Sequence, residues 1–307
     1  MDICFYHKKD LDGHCSGALV KAECPDCQMV GIDYGDQFFW DLIQEKHVIM
    51  CDISLDPEDM LRLRQESALF VWVDHHRTSI DKMAKANLQF AGIQREGLGA
   101  CALVWEYCHL DEPMPTPVRL LAAYDVWDHS DPLTLPLQAA VNSYYTDPAD
   151  WETCKELWLD LFFAGEDQVM LDSFEHEGNT LLRNKEKWGN LFGRQKTFLL
   201  HWDGLIWLAA NGSGGSRFFD SVTSDPQCPY YDGMMTFEWA KGRWKIGMYA
   251  DQKKPYPLNV GKVALRHGGG GHPGAAGFEA SVLPFALSMG AKQAVEGWKV
   301  PRRGGRY

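Results

Sequence analysis

Four short apolar runs in the first 130 residues, Ile3–Tyr6, Met29–Tyr34, His47–Cys51 and Ala68–Val73, constrain the fold most, because helix-compatible stretches separate them. Ser16–Ala22 follows the first run, and Pro57–Glu66, with proline in its first turn, joins the last two. Gly99–Tyr107 and Pro117–Trp127 read as further helices, the second entered through Pro113, Pro115 and Pro117. Such alternation predicts an α/β, doubly wound parallel sheet, in which ligands bind beyond the carboxyl ends of the strands. Asp131–Asp150 reads as loop-rich and Glu166–Arg194 as a long polar helix connecting two domains. The pattern then changes. Thr197–Trp202 and Leu205–Ala210 read as strands around an Asp-Gly turn, and Met234–Trp239 and Arg243–Tyr249 as a hairpin closed near Lys241-Gly242. A glycine-rich segment and a final helix around Leu283–Val295 complete the chain. The expected organisation is a parallel-sheet domain over 1–150, a helical linker over 151–195 and a smaller α/β domain over 196–307.

A chain of 307 residues with 45% hydrophobic and 23% charged residues has ample material for buried cores. No apolar run approaches the roughly 20 residues that span a bilayer, and the N-terminus lacks the pattern of a signal peptide. Nine cysteines, an odd count with several in apolar runs, suggest reduced thiols and a cytoplasmic location. The lone pair Cys24-Pro25-Asp26-Cys27 reads as a surface turn, since no second ligand pair accompanies it. The net charge of −12 argues against binding long duplex DNA. That charge is uneven: residues 240–307 carry 12 Lys and Arg against 3 Asp and Glu, leaving an acidic remainder suited to cations.

Acidic and histidine side chains stand where the predicted elements end. His7-Lys8-Lys9-Asp10-Leu11-Asp12-Gly13 follows the first strand, Asp52 the third, and Asp74-His75-His76 the fourth. Asp125 closes the helical stretch ending Ala122-Ala123-Tyr124, with Asp128 as the alternative ligand of that segment. Carboxylates gathered at one sheet edge repel one another unless cations neutralise them. Mixed oxygen and imidazole donors suit Mn²⁺, with Mg²⁺ or Co²⁺ as substitutes. Two such ions can activate water and stabilise both oxygens of an in-line displacement at phosphorus. Asp52 is the natural bridge, because its strand should lie between those bearing the other ligands.

These segments resemble the DHH phosphoesterase superfamily, named for the triplet present as Asp74-His75-His76. It includes RecJ-type exonucleases, nanoRNases with pAp phosphatase activity, exopolyphosphatases and family II pyrophosphatases. Gly268-Gly269-Gly270-Gly271-His272, followed by Gly274-Ala275-Ala276-Gly277-Phe278, is similar to the GGGH motif of the DHH-associated C-terminal domain. The resemblance implies that His7 and Asp10 hold one metal, that Asp12, His75 and Asp125 hold the other, and that Asp52 bridges them. It further implies that His76 contacts the scissile phosphate or the attacking water and that Asp74 orients the histidines. His272 and the backbone of Gly269, Gly270 and Gly271 would grip a phosphate, with Arg266, Lys262 and Lys253 or Lys254 adding positive charge. Two residues separate His7 from Asp10, where many nanoRNase-like members have three. Tyr249 stands where many pAp-hydrolysing relatives carry arginine, which favours the NrnB-like branch.

The implied activity is hydrolysis of short single-stranded RNA or DNA oligonucleotides to mononucleotides. Small-nucleotide hydrolysis (pAp or linear dinucleotides), RecJ-like exonuclease activity and nucleotide binding without turnover are the alternatives. No membrane partner is expected, and a homodimer is compatible with the sequence. Of twelve tryptophans, Trp72, Trp105 and Trp207 read as core, whereas Trp239, Trp244, Tyr249 and Tyr256 are candidates for base stacking. Arg302-Arg303-Gly304-Gly305-Arg306 reads as a solvent-exposed tail.

Overall fold

The computed structural model describes residues 1–163 and 167–286; the Arg302–Arg306 tail and, from residue 287 on, the expected final helix lie outside the described residues. The chain divides into two compact units, Met1–Leu182 and Arg183–Tyr307.

In the first unit, β1 (Ile3–His7), β2 (Gln28–Ile32), β3 (His47–Cys51) and β4 (Leu69–Val73) form a parallel sheet in the order β2-β1-β3-β4. β3 therefore lies between β1 and β4, the position expected for the strand that carries Asp52. Strand periodicity of two divides the side chains between the faces. Cys4, Tyr6, Ile49, Cys51, Val71 and Val73 enter one apolar core, and Ile3, Phe5, Val48, Met50, Phe70 and Trp72 enter the other. The first core is covered by α1 (Leu11–Glu23), α4 (Ala100–Cys108), α5 (Thr116–Asp125), α6 (Thr134–Val141) and α7 (Trp151–Phe163). The second is covered by α2 (Pro57–Glu66) and α3 (Arg77–Lys85). Both faces are thus closed, which explains why these strands read as continuous apolar runs.

Two local outcomes differ from the sequence reading. The stretch expected to be loop-rich contains α6, whose Thr134, Pro136, Leu137, Ala140 and Val141 are buried. Packing against α5 supplies the stability that its composition does not advertise. Also, β2 stops at Ile32, so Asp33 and Tyr34 stand beyond the strand, at the same carboxyl edge as the other strand ends. The nine cysteines are all free, and Cys24–Cys27 forms a turn closed by Cys27 N–H donating to the Cys24 carbonyl at 2.9 Å. Among the described residues, no helix is long and apolar enough to cross a membrane.

α8 (Gln168–Lys196) runs across the division between the units. The second unit is built on a six-stranded sheet formed by β5 (Thr197–Trp202), β6 (Leu205–Asn211), β7 (Gly233–Ala240), β8 (Arg243–Tyr249), β9 (Gly270–Gly271) and β10 (Ala275–Ala280). Their order is β5-β6-β7-β8-β10-β9, antiparallel except for β6 beside β7. A short α9 (Asp220–Thr223) precedes β7, and α10 (Val260–Arg266) packs on β10. Trp207, Met235, Phe237, Ile246, Met248 and Phe278 centre its core.

Candidate metal centre

The carboxyl edge of the parallel sheet gathers the acidic segments because each strand ends directly before one. β1 ends in His7, and the chain turns at once into α1 through Asp10. Asp10 Oδ1 caps the helix by accepting from Gly13 N–H at 2.9 Å, while its Oδ2 lies 2.7 Å from His7 Nδ1. Gly13 is demanded by this tight entry, because a Cβ there would sit 2.0 Å from the His7 carbonyl oxygen. One turn of α1 then carries Asp12 inward. Its two oxygens accept from Ala100 N–H at 2.6 Å and Cys101 N–H at 2.8 Å, the first amides of α4. Gly99 permits that approach, since a Cβ there would lie 2.7 Å from Ala122 Cα and 3.0 Å from Asp12 Oδ1.

Asp52 follows β3 with φ of +60°, a left-handed conformation that only a few non-glycine residues adopt, and its carboxylate is buried. Its Oδ2 is 3.6 Å from His7 Nδ1, and its Oδ1 is 3.3 Å from His75 Nε2 and 3.7 Å from His76 Nδ1. His75 Nε2 is also 3.2 Å from Asp125 Oδ2 and 3.6 Å from Asp12 Oδ2. One imidazole nitrogen is thus faced by carboxylates from three separate segments.

Asp74 Oδ1 accepts from the amides of His75 at 2.7 Å and His76 at 3.1 Å and from His76 Nδ1–H at 2.7 Å. Three donors converge on this one oxygen, and they fix the His76 ring with Nε2 as its free nitrogen.

The expected ligands therefore meet as His7/Asp10/Asp52 and Asp12/His75/Asp125, each with ligand atoms within 4.8 Å of one another; a third group joins Asp52 to Asp74, His75 and His76. Asp52 belongs to two of the groups. The alternative for the fourth segment is placed elsewhere: exposed Asp128 accepts from Ser130 N–H at 3.0 Å and joins none of them.

The electrostatics express crowding. Asp12 and Asp125 are pushed up to about 7, first by burial and then by a neighbouring carboxylate, Asp52 for the former and Asp12 for the latter. Burial also raises Asp52. Burial would lower His7 and His75, but their carboxylate neighbours outweigh it and raise them to about 10 and about 9. Asp10 moves down: burial opposes ionisation there, yet the His7 imidazole 2.7 Å away prevails. His7 Nδ1, Asp52 Oδ1, Asp74 Oδ2 and His75 Nε2 are buried without a well-formed hydrogen bond. Buried donor atoms aimed at one another across 3–4 Å, with compressed negative charge, fit divalent cations bound by oxygen and imidazole.

Sequence reasoning missed two neighbours of this cluster. Asp33 Oδ1 lies 3.5 Å from His7 Nε2, and the half-exposed Tyr34 ring centroid is 6.0 Å from that of His7. Reading the second strand through to Tyr34 concealed a fourth strand-end carboxylate; an earlier break at Ile32 would have revealed it.

The glycine-rich segment has a more structural character than its sequence suggests. Gly268, with φ of +78°, ends α10, and its amide donates to the Leu265 carbonyl at 3.2 Å. Gly269 N–H donates to Ala264 O at 3.0 Å and His272 N–H to Ala275 O at 2.8 Å. Gly270 and Gly271 form the edge strand β9 against β10. Of the amides expected to converge on an anion, that of Gly269 is therefore engaged internally, as are those of Gly268 and His272 on either side. A Cβ on Gly269 would lie 2.1 Å from the Gly277 carbonyl oxygen, and one on Gly271 2.6 Å from Ala276 Cα, whereas Gly270 faces open space. The His272 side chain is exposed. Arg266 pairs with Asp203 at 2.5 Å, and Lys254 donates to the Tyr231 carbonyl, so both charges have local partners. Of the candidate stacking residues, Trp239 and Tyr256 are exposed, Trp244 packs on the core, and Tyr249 Oη donates to the Gly214 carbonyl at 2.7 Å.

No protein-family profile matches the chain. An uncharacterised protein of Acanthamoeba polyphaga mimivirus is 29% identical over 123 residues, covering 38% of this chain; the match spans only 28% of that protein's length. Among solved structures, a pGpG-specific phosphodiesterase from Vibrio cholerae superposes with a TM-score of 0.53 at 15% identity, covering 97% of both chains. An exopolyphosphatase-related protein from Bacteroides fragilis superposes more loosely, with a TM-score of 0.42 at 13% identity over 96% of this chain and 91% of that one. The first of these likenesses establishes the fold: a mixed α/β chain with a parallel sheet and a second sheet, shared over nearly its whole length.

Proposed function

We propose that this chain is a divalent-metal-dependent phosphoesterase of the DHH type that hydrolyses short oligonucleotides to mononucleotides. The observation that carries the reading is the convergence of His7, Asp10, Asp12, Asp52, His75 and Asp125, from four segments, at the carboxyl edge of one parallel sheet. Stability alone gives no reason to bury Asp12, Asp52 and Asp74 beside His75; an uncompensated cluster of this kind is costly.

In this reading His7, Asp10 and Asp52 would hold one Mn²⁺ and Asp12, His75 and Asp125 the other, with Asp52, 3.3 Å from His75, shared between them and Mg²⁺ or Co²⁺ as substitutes. Bound there, the ions supply charge neutralisation and a lowered pKa for the attacking water. The protein's own groups do the rest. The amides of α4 would hold Asp12 in place and Asp74 would fix the His76 ring; Asp74 also favours the protonated ring, whose Nε2–H would donate to the scissile phosphate. His272 and the open Gly270 are proposed as an anion contact of the second unit, with Arg266 contributing only after exchange of its Asp203 partner.

Linear dinucleotides are the shortest such substrates, and the fold shared with a pGpG-specific phosphodiesterase favours them within the class. An NrnB-like branch assignment rests on Tyr249 and remains part of the proposal. The deciding experiment incubates purified protein with Mn²⁺ and 5′-labelled RNA of two to five nucleotides, pAp, and long single-stranded DNA. Mononucleotide release from the short RNA is expected; degradation of the long strand in preference would replace this reading with a RecJ-like exonuclease. No release from any substrate would leave nucleotide binding without turnover.

A further inference from the structure

We propose that Trp127, with Tyr124 and His129 beside it, is a nucleobase platform at the Asp125 side of the metal cluster. The inference rests on the phosphodiesterase reading and narrows it to substrates whose phosphate carries a nucleoside, as opposed to bare phosphate chains.

α5 delivers Asp125 into the cluster and then stops abruptly. Val126, Trp127 and Asp128 amides fold back onto the Ala122, Tyr124 and Ala123 carbonyls at 3.4, 3.1 and 2.9 Å. Trp127 takes the left-handed position of this helix end, with φ of +62°. Glycine is the ordinary occupant of such a position, and a bulky side chain there is strained. Core packing does not explain the choice either, because Trp127 is 73% exposed. An exposed tryptophan held in an unfavourable backbone state needs a reason outside the folded chain.

The surroundings supply one. The Tyr124 and His129 rings stack with centroids 5.5 Å apart and planes 27° apart, and the Trp127 ring lies 6.0 Å from His129 at 36°. Three aromatic rings thus gather on one turn, in shallowly inclined planes. Trp127 is two residues from Asp125, so their Cα atoms are no more than about 7 Å apart. A base attached to a phosphodiester held at Asp125 therefore comes within reach of the indole. Stacking on a π-face tolerates any base, which suits a hydrolase of mixed short fragments.

The test compares a 5′-phosphorylated dinucleotide with the same backbone carrying abasic tetrahydrofuran units, using wild type, Trp127→Gly and Trp127→Phe. Glycine relaxes the positive φ, so loss of the ring is separated from loss of folding. The ratio of kcat/KM for dinucleotide over abasic backbone should fall at least about five-fold in Trp127→Gly, mainly through KM, and recover largely in Trp127→Phe. An unchanged ratio overturns the platform. Should the wild type cleave neither compound in Mn²⁺, the hydrolase reading fails, and calorimetric titration of the dinucleotide decides this inference. An affinity at least five-fold weaker in Trp127→Gly sustains it; equal affinities refute it.

Discussion

Asp52→Asn isolates the charge at the centre of the cluster. Asparagine keeps the shape of the side chain and tolerates the left-handed backbone at φ of +60°. It removes the negative charge that faces His7, His75 and His76 at 3.3–3.7 Å. Losing the one carboxylate common to two ligand groups should weaken metal binding by roughly 100-fold or more, the upper end of the range for groups supporting a metal site. The consequence for stability follows from mass action. With Mn²⁺ at 100 times the wild-type dissociation constant, binding stabilises the protein by ~2.7 kcal/mol; a 100-fold weaker site gains only ~0.4 kcal/mol. For a unit the size of Met1–Leu182, the first figure corresponds to a rise in Tm of roughly 5–10 °C and the second to about 1 °C. Scanning calorimetry in EDTA and in Mn²⁺, at pH 8, measures both. In EDTA the loss of the Asp52 contacts with His7 and His75 and the relief of Asp12 oppose each other, so the metal-induced shift, not the metal-free Tm, is the readout. The reasoning is refuted if the variant keeps the full metal-induced shift.

Two further outcomes follow from the geometry. Asp12 and Asp125 have folded-state values near 7, above the ordinary 3.8, so their contribution to metal-free stability is present at low pH and is lost as pH rises through 7. His7 and His75, raised to about 10 and about 9, contribute below 6.5 and lose that contribution towards 9–10. Metal-free protein should therefore lose stability from pH 5 to pH 9 while the Mn²⁺-induced rise in Tm grows; denaturation curves at fixed pH that show the opposite trend would contradict the assigned cluster. In the second unit, Gly269→Ala should destabilise by about 1–3 kcal/mol, because its Cβ would strike the Gly277 carbonyl, whereas Gly270→Ala should change stability by less than about 1 kcal/mol. A raised KM for oligonucleotides in Gly270→Ala, measured beside urea titrations of both variants, would support the anion contact; an unaltered KM would remove it.

The candidate site was legible because parallel strands buried on both faces are apolar throughout, so the first charged residue after each one marks the sheet edge. His7, Asp52 and Asp74 stand out on that ground alone. Asp125 was legible as the end of an apolar helical stretch, although Asp128 three residues later looked equivalent until the turn after α5 pointed it towards Ser130. Contacts made across the chain were not legible. Nothing local tells that Asp12 borrows the amides of Ala100 and Cys101, or that Gly269 is required by Gly277. α6 was hidden because its stability lies in tertiary packing; α7 falls within the helical linker expected over 151–195, but its buried face, Cys154, Trp158, Leu161 and Phe162, matters only once α1 is beside it. The glycine-rich segment reads from sequence as a phosphate-gripping loop, since sequence does not distinguish glycines needed for close packing from those left open to a ligand.

The hold of α4 on Asp12 has a consequence for the life of the protein between encounters with metal. A helix start already satisfies both oxygens of that carboxylate, so chelating the proposed ions would leave the support of Asp12 intact. In the proposed reading Asp12 should therefore keep its place whether or not a cation is bound. Reloading then becomes a matter of diffusion, and a protein stripped by a chelator should recover within the time of mixing, with no slow refolding phase.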